Sequence, residues 1–304
     1  MDFTDRLAAA VTRFRNPVVV GLDPRWNDLP DGLKASFDGE TTTGRAAGYA
    51  TFCREVIDVV APLVPVVKPQ AAFFEQLGPP GMQALADTIA YARQRGLLVI
   101  LDGKRNDIGS TATAYADGIL GESSAWLADA LTVSPYLGDD SLQPFFAVAG
   151  QRQSGIFVLV KTSNPGGRQF QDLDCGGKPL YRHVADYLET LARPAAGACG
   201  YAGIGAVVGA TYPQQLAELR TALAHAWLLV PGYGSQGGTA RDVAPAFDAH
   251  GLGALVNNSR GIIFAYREPR FAAGLSAGQW QSAIARSTRD MIAQLAAETT
   301  TGRL

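Results

Sequence analysis

The feature that most constrains the fold of this chain is a regular alternation of short apolar strands with helical segments. Apolar runs bounded by turn residues predict eight strands: Pro17–Leu22, Leu63–Lys68, Leu97–Asp102, Ala130–Val133, Ile156–Val160, Gly205–Val208, Trp227–Val230 and Gly253–Val256. Helical periodicity marks the segments that follow them: Ala46–Val60, Gly81–Arg95, Thr111–Leu120, Ser141–Ala149, Pro179–Arg193, Pro213–Leu223, Thr239–Ala249 and Ala277–Ala297. Because each return to a parallel neighbour needs a crossover, this alternation predicts a parallel sheet covered by helices.

Two parallel architectures are compatible with this pattern, an open doubly wound sheet and a closed barrel. An open sheet places its ligand at one switch point, whereas polar residues here follow six of the eight predicted strands. We therefore expect a single (β/α)₈ TIM barrel, with one domain over residues 1–304 and a core of about 17–297. The extra length fits an N-terminal helix and long segments at Asp23–Arg45 and Asn164–Gly205, and Glu298–Arg303 is expected to be a frayed tail.

The net charge and the N-terminal sequence limit the partners and the cellular location that we expect for this chain. The formal net charge is −2 at pH 7, so we expect neither nucleic acid nor an anionic membrane as a partner. The N-terminal stretch MDFTDRLAAAVTRFRNP carries acidic residues and lacks the apolar core of a signal peptide. No apolar run approaches the roughly 18 residues that cross a bilayer, and a cytoplasmic location is predicted.

The residues that most often bind metals or form disulfides are few and widely spaced. They are Cys53, Cys175, Cys199, His183, His225 and His250. An odd number of distant cysteines argues against a disulfide framework, and the histidines match no metal-ligand spacing. We therefore expect no metal site.

The most distinctive motif lies in Leu98–Thr113, where a buried strand ends in the charged sequence DGKRND. Asp102 and Asp107 flank Lys104 at the C-terminal end of the strand, which is the end where ligands bind in α/β proteins. The pattern D-x-K-x-x-D-I-x-x-T favours chemistry. The alternative is a solvated loop with mutual ion pairs.

Three other strand ends carry polar residues that indicate a ligand contact less specifically. Asp23 in GLDPR could accept hydrogen bonds from sugar hydroxyls, although the motif alone favours an Asp-Pro turn. Lys68 ends a very apolar strand before a proline, either as a ligand-binding group or as a side chain that extends to solvent. The motif KTSNPGG at Lys161–Gly167 could read the edge of a heterocycle or form an ordinary turn.

Two segments near the end of the barrel indicate a phosphate site. The glycine-rich Val230–Asp242 could bring free backbone amides close to an anion, and the helix predicted from Thr239 would add its positive end. Asn257–Ile262 supplies Arg260, whose guanidinium pairs bidentately with phosphate. The loops after strands 7 and 8 are where many (β/α)₈ enzymes hold phosphate.

Together, these motifs resemble orotidine 5′-monophosphate decarboxylases, most closely the longer bacterial forms, from about Val18 to Ile263. The resemblance implies the following site residues: catalytic Asp102, Lys104 and Asp107; ribose contacts Asp23 and Lys68; a pyrimidine-edge contact Ser163; phosphate ligands Gln236 and Arg260. It also implies a homodimer with shared active sites, in which three residues reach the neighbouring subunit's site: Asp107, Ile108 and Thr111. The sequence departs from the compact members of the family in its longer segment after strand 5 and in Asn258-Ser259, where a compact member tends to have glycine.

The implied activity is that of a carboxy-lyase of de novo pyrimidine biosynthesis. It would convert orotidine 5′-monophosphate to uridine 5′-monophosphate without metal or cofactor, with Lys104 protonating the C6 carbanion. Two alternatives stay open at this point. One is a sugar-phosphate decarboxylase or aldolase, since related barrels share the D-x-K-x-x-D array and usually need magnesium. The other is a nucleotide-binding regulator without turnover, which would leave the Lys104 array unexplained.

Overall fold

Eight parallel strands close into a barrel in the computed structural model of this chain, which describes residues 2–234 and 236–304. The strands are β1 (Val18–Leu22), β2 (Val66–Pro69), β3 (Leu98–Arg105), β4 (Ala130–Val133), β5 (Gly155–Lys161), β6 (Ala202–Val208), β7 (Ala226–Val230) and β8 (Ala254–Asn258). They pair in chain order, and β8 closes the barrel against β1. The predicted (β/α)₈ barrel is thus confirmed and the open sheet is excluded. One domain over residues 1–304 stays a prediction.

Helices cover the outside of the barrel and lie at its two ends. They are α1 (Phe3–Phe14), α2 (Asp31–Lys34), α3 (Thr42–Val60), α4 (Ala71–Glu75), α5 (Pro79–Gln94), α6 (Gly109–Ile119), α7 (Asp139–Gln151), α8 (Arg168–Gln171), α9 (Leu180–Ala192), α10 (Pro213–Ala222), α11 (Ala240–Val243), α12 (Arg260–Ile263), α13 (Pro269–Ala272) and α14 (Trp280–Glu298). Short 3₁₀ turns lie at Trp26–Asp28, Pro165–Gly167, Arg193–Ala195, Ala244–Ala246, Ala265–Arg267, Ala277–Gln279 and Thr300–Arg303. A large apolar core fills the space between the strands and these helices.

The alternation of side chains along the strands brings polar groups to one end of the barrel. Four strands carry an inward apolar residue followed two positions later by a polar one: Val66 and Lys68, Ile100 and Asp102, Ala130 and Thr132, Leu255 and Asn257. Because side chains alternate with a period of two, each polar residue shares the inner face of its apolar predecessor. The inside of the barrel is therefore apolar at its base and polar at its C-terminal mouth.

Helix α1 closes the opposite, N-terminal end of the barrel. Phe3 and Leu7 are buried among the inward side chains of the strands, together with Trp227. The ring of Phe3 meets that of Phe157 edge to face, with centroids 6.3 Å apart. Each such buried side chain contributes about 1.5–3 kcal/mol of hydrophobic stabilisation. The base of the barrel is thus a packed core, which leaves the mouth as the end that is open to ligands.

Strand β3 extends further than the sequence predicts, and this changes where the charged motif lies. It continues past Asp102 to Arg105, which pairs with Val133 of β4 after a register shift beyond Leu101. Lys104 lies within this irregularity with φ of 43°, in the left-handed region that a non-glycine residue rarely adopts. The predicted strand end at Asp102 is therefore wrong, and Lys104 is presented by the strand itself.

Two strand starts differ from the prediction by three residues, and the other starts agree within one residue. Strand β2 begins at Val66 rather than Leu63, because the amides of Leu63 and Val64 bond back to Val60 and continue the helix end as a turn. Strand β6 begins at Ala202, whose amide bonds across to the carbonyl before β7. Both shifts lie at the N-terminal end of the barrel and leave the mouth unchanged.

Two further corrections concern the helix after β7 and the C-terminal tail. The helix predicted at Thr239–Ala249 shortens to α11 and a 3₁₀ turn, because Pro245 has no amide hydrogen to continue it. The predicted frayed tail is wrong as well: the Thr300 hydroxyl donates to the carbonyl of Asp248 at 2.7 Å, and Thr301 is buried. The C-terminus therefore packs against the segment that precedes β8.

Candidate active site

A cavity of about 530 Å³ opens at the C-terminal mouth of the barrel. Seven of the residues that the resemblance implies line it: Asp23, Lys68, Asp102, Lys104, Ser163, Gln236 and Arg260. Leu159, Val207 and Leu229 form an apolar part of its wall. The volume lies in the range of pockets that enclose small organic ligands, and the apolar wall suits a planar ring.

Asp102 is the centre of the charged cluster in this cavity. Its Oδ2 lies 2.5 Å from Lys68 Nζ, and its Oδ1 lies 2.6 Å from Lys104 Nζ. Thr132 donates a third hydrogen bond to Oδ1 at 2.9 Å. Burial alone would favour the neutral acid, but the two ammonium groups hold the pKa of Asp102 well below its usual range. Asp102 is therefore an anion that fixes both lysine side chains.

Lys68 is almost completely buried in a way that only charged neighbours can support. Burial disfavours its charge, but Asp102 and Asp23 together raise the pKa of Lys68 above its ordinary value. Pro69 follows it and keeps the backbone extended, so no helix starts at this point. The side chain of Lys68 therefore leaves a strand and lines the cavity. Lys68 is thus a permanent cation at the floor of the cavity and does not extend to solvent.

Asp23 lies just past β1 and carries an unfilled hydrogen-bond acceptor. Burial raises the pKa of Asp23, and Lys68 only partly opposes this effect. Its Oδ1 is buried with no hydrogen-bond donor from the described residues. Leaving such an atom unpaired costs about 1–3 kcal/mol, which a hydroxyl of a bound ligand would recover. The environment of Asp23 therefore fits a sugar-binding residue better than an Asp-Pro turn alone.

The segment after β5 is folded back onto the strand end by two side-chain contacts. Gln171 accepts a hydrogen bond from the Thr162 amide at 3.0 Å and donates one to the Thr162 hydroxyl at 2.8 Å. Lys161, which is fully buried, forms an ion pair with Asp172 and lies 4.7 Å from the ring centroid of Tyr212. These contacts hold α8 beside the mouth and present Ser163 to the cavity.

The glycine-rich loop after β7 differs from the predicted amide cradle. The amides of Gly234, Gly237 and Gly238 donate to carbonyls of the same loop at 2.8–3.1 Å, so they are not free to bind an anion. Helix α11 has only four residues, and the predicted contribution of a helix end is also wrong. Side chains remain as the candidate phosphate ligands, namely Gln236 and the exposed Arg260. Ser235 lies outside the described residues.

Arg260 lies where two cavities meet. It lines both the cavity described above and a neighbouring one of about 690 Å³, which also contains Arg25 and Tyr233. The guanidinium therefore has room for a charged group of a ligand that extends out of the barrel mouth.

The remaining predicted residues lie outside the cavity as the described residues define it. Asp107 precedes α6, and its Oδ1 accepts a hydrogen bond from the amide of Ile108 at 2.8 Å. Ile108 is 55% exposed and Thr111 is also exposed. The segments that follow β3 and β4 carry other exposed large apolar side chains: Tyr115, Tyr136 and Leu137. Within one chain, the array Asp102, Lys104 and Asp107 is therefore only partly brought together.

Sequence reasoning missed polar residues that lie inside strands. Thr132 and Asn257 line the cavity, and the Oδ1 of Asn257 is buried without a donor from the described residues. Thr132 lies within the predicted strand Ala130–Val133, which we interpreted as apolar. Asn257 follows the predicted end of strand 8 at Val256, in a segment from which only Arg260 was assigned a role, although β8 continues to Asn258. The signal that could have found them is the period of two, because each follows an inward apolar residue by two positions.

Neither a candidate metal cluster nor a membrane-spanning helix occurs among the described residues. Across residues 2–234 and 236–304, no three His, Cys, Asp or Glu side chains form a group that could hold a metal ion. Among the helices of this described part, none is both long and apolar enough to cross a membrane.

Comparisons with known proteins agree with the geometry of the site. A model of the family described as "Orotidine 5'-phosphate decarboxylase / HUMPS family" matches residues 16–274. A curated relative from Rhodopirellula baltica, named orotidine 5′-phosphate decarboxylase, is 54% identical over 299 residues, which is 97% of this chain and 99% of the relative. A solved structure of Leishmania donovani OMP decarboxylase has a TM-score of 0.75 at 32% identity and covers 98% of both chains. A putative orotidine-monophosphate decarboxylase from Toxoplasma gondii has a TM-score of 0.77 at 34% identity, over 96% of this chain and 99% of that one.

Proposed function

This chain belongs to the orotidine 5′-phosphate decarboxylase / HUMPS family, and on that premise we propose that it decarboxylates orotidine 5′-monophosphate to uridine 5′-monophosphate in pyrimidine biosynthesis. The observation that carries the proposal is the array on Asp102. Lys68 and Lys104 bond opposite oxygens of this one buried carboxylate, inside a cavity of suitable size. The array supplies fixed positive charge and a transferable proton at one place.

The reaction needs both of these properties. The bond between C6 and the carboxylate breaks, carbon dioxide leaves, and the electron pair stays on C6 of the pyrimidine. No adjacent carbonyl can delocalise this pair fully, so a nearby ammonium must stabilise it. Lys104 is the donor in this proposal: a proton moves from its Nζ to C6, and the neutral amine regains a proton from water.

Repulsion between Asp102 and the substrate carboxylate contributes a smaller part. Two unit charges about 4 Å apart interact by roughly 4 kcal/mol at an effective dielectric constant near 20. Enzymes commonly remove about 8–23 kcal/mol from a barrier. Most of the barrier reduction is therefore assigned to carbanion stabilisation by Lys104 and to binding of the remote phosphate, which helps hold the reacting ring in place.

The other lining residues receive roles that match their chemistry. The unfilled acceptor of Asp23 and the cation of Lys68 are assigned to the ribose hydroxyls, since one accepts and the other donates hydrogen bonds. Ser163 is assigned to the pyrimidine edge. Gln236 and Arg260 are assigned to the phosphate, because Arg260 is the lining guanidinium with space beside it.

We further propose a homodimer in which Asp107, Ile108 and Thr111 complete the neighbouring subunit's site. Two observations support this arrangement. Asp107 does not line the cavity of its own chain, although it lies three residues from Lys104. Ile108 and Tyr136 follow the neighbouring strands β3 and β4 and carry exposed apolar side chains, which a partner could cover.

The reaction is proposed to use neither metal nor cofactor, because the side chains of the array supply both the charge and the proton. The test is the loss of ultraviolet absorbance when purified protein is added to orotidine 5′-monophosphate, with and without a chelator. Equal turnover in both samples, with one uridine 5′-monophosphate formed per substrate, is the expected result. No turnover, or turnover abolished by the chelator, would contradict the proposal. A cytoplasmic location is proposed with it.

A further inference from the structure

Thr132 is the one polar side chain of the short strand β4 that faces the cavity. It is 1% exposed and follows the inward residue Ala130 by two positions. Of the two neighbouring strands, β3 contributes the charged side chains of Asp102 and Lys104 to this cavity, and β5 contributes the apolar Leu159. None of the motifs that indicated the function includes this threonine, so its place in the charged cluster requires a separate explanation.

The Thr132 hydroxyl joins a side chain to a backbone group within the charged cluster. It donates a hydrogen bond to Asp102 Oδ1 at 2.9 Å and accepts one from the Lys104 amide at 3.0 Å. A hydroxyl has a single proton, and a charged carboxylate accepts but cannot donate. The direction of both bonds is therefore fixed: the proton goes to Asp102, and a lone pair receives the Lys104 amide.

The backbone of Lys104 needs such support. Its φ of 43° lies in the left-handed region, which costs a residue with a Cβ about 1–2 kcal/mol. Strained residues keep such a conformation only when the surrounding contacts enforce it. The register shift between Leu101 and Arg105 interrupts the pairing of β3 with β4 at this point, and the hydrogen bond from the Lys104 amide to Thr132 bridges the interruption.

We propose that Thr132 is a positioning residue that aims the Lys104 ammonium at the reacting carbon. Lys104 is held at two points, its amide by Thr132 and its Nζ by Asp102 at 2.6 Å. Asp102 is in turn oriented by the same hydroxyl. One side chain thus fixes both the backbone and the counter-ion of the proton donor. This inference rests on the proposed function for its kinetic consequence, but the positioning itself concerns the free protein.

The test compares Thr132→Val, which keeps the shape of the side chain and removes the hydroxyl, with Thr132→Ser, which keeps the hydroxyl. Thr288→Val is the matched control: Thr288 is fully buried, and its hydroxyl donates to the carbonyl of Ile284 at 2.8 Å within α14. Loss of the two hydrogen bonds in Thr132→Val is expected to lower kcat about 10- to 100-fold, with KM changed less than about threefold. Thr132→Ser should recover most of kcat, and Thr288→Val should lower Tm without changing kcat by more than about twofold.

Amide hydrogen exchange at Lys104 supplies a readout that does not depend on turnover. Thr132→Val, and Thr132→Ala if the valine variant does not fold, should exchange this amide at least about tenfold faster, whereas Thr288→Val should not. A kcat of Thr132→Val within about twofold of the parent would overturn the inference, as would a serine variant no better than the valine variant. If the parent does not decarboxylate orotidine 5′-monophosphate, the proposed function fails, and unchanged exchange at Lys104 would separately refute the positioning role.

Discussion

Mixing subunits that carry different substitutions tests the proposal that Asp107 completes the active site of the neighbouring subunit. In the proposed dimer, each active site takes Lys104 from one subunit and Asp107 from the other. Homodimers of Lys104→Ala and of Asp107→Asn should therefore both be nearly inactive, because every site carries one lesion. A mixed dimer is different: one site carries both lesions, and the other site has wild-type Lys104 and Asp107.

The expected activity follows from counting sites. Random reassortment of equal amounts makes about half of the dimers mixed, and each mixed dimer has one intact site in two. Activity should thus rise to roughly a quarter of the wild-type value at equal protein concentration. Turnover of orotidine 5′-monophosphate is measured before and after exchange, and native mass spectrometry of differently tagged subunits verifies that mixed dimers form. If mixed dimers form and activity stays at the level of the parents, Asp107 serves the site of its own chain.

Three further substitutions test separate parts of the site. Arg260→Ala should weaken nucleotide binding about 100-fold and nucleoside binding less than threefold, since only the nucleotide carries phosphate; equal losses in a calorimetric titration would contradict that assignment. Lys161→Met leaves Asp172 without its buried cation and should raise KM several-fold and lower Tm. Lys178→Met, at a half-exposed pair, should change KM less than about twofold and Tm less than Lys161→Met does; an unchanged KM in Lys161→Met would show that Lys161 does not hold α8 in place. Asp23→Asn should raise Tm at pH 7 and raise it less at pH 4. Burial raises the pKa of Asp23, so its buried charge destabilises the fold only as the pH rises above about 4. A lower Tm of this variant at pH 7 would refute the argument.

The barrel could be predicted because its signals are local and repeated. Apolar runs of four to eight residues with turn residues at their ends are visible without tertiary information, and the charged motif at Asp102 stands directly after one of them. The same reasoning placed Asp23 and Lys68 at the mouth, because the C-terminal ends of all the barrel strands surround it.

The errors arose where a long-range contact decides the local structure. The extension of β3 depends on a hydrogen bond from Lys104 to Thr132, 28 residues away, and no local pattern indicates it. The C-terminal segment is ordered by the bond from Thr300 to Asp248, which is 52 residues away in the sequence. The glycine-rich loop was misjudged for another reason: Gly234 adopts a positive φ, but its amide is used within the loop. A high glycine content indicates that the backbone can bend, but it does not indicate which groups the backbone amides bind.

The most direct test of the central claim compares Lys104→Ala with the parent enzyme in two measurements. The first is kcat for orotidine 5′-monophosphate, and the second is the Kd for uridine 5′-monophosphate by calorimetry, with Lys178→Ala as a control at a surface lysine. Because Lys104 supplies the proton and the charge at C6, we expect kcat to fall at least about 100-fold while the fold and product affinity stay largely intact. A Lys104→Ala protein that keeps more than about a hundredth of the parent's kcat would contradict the account.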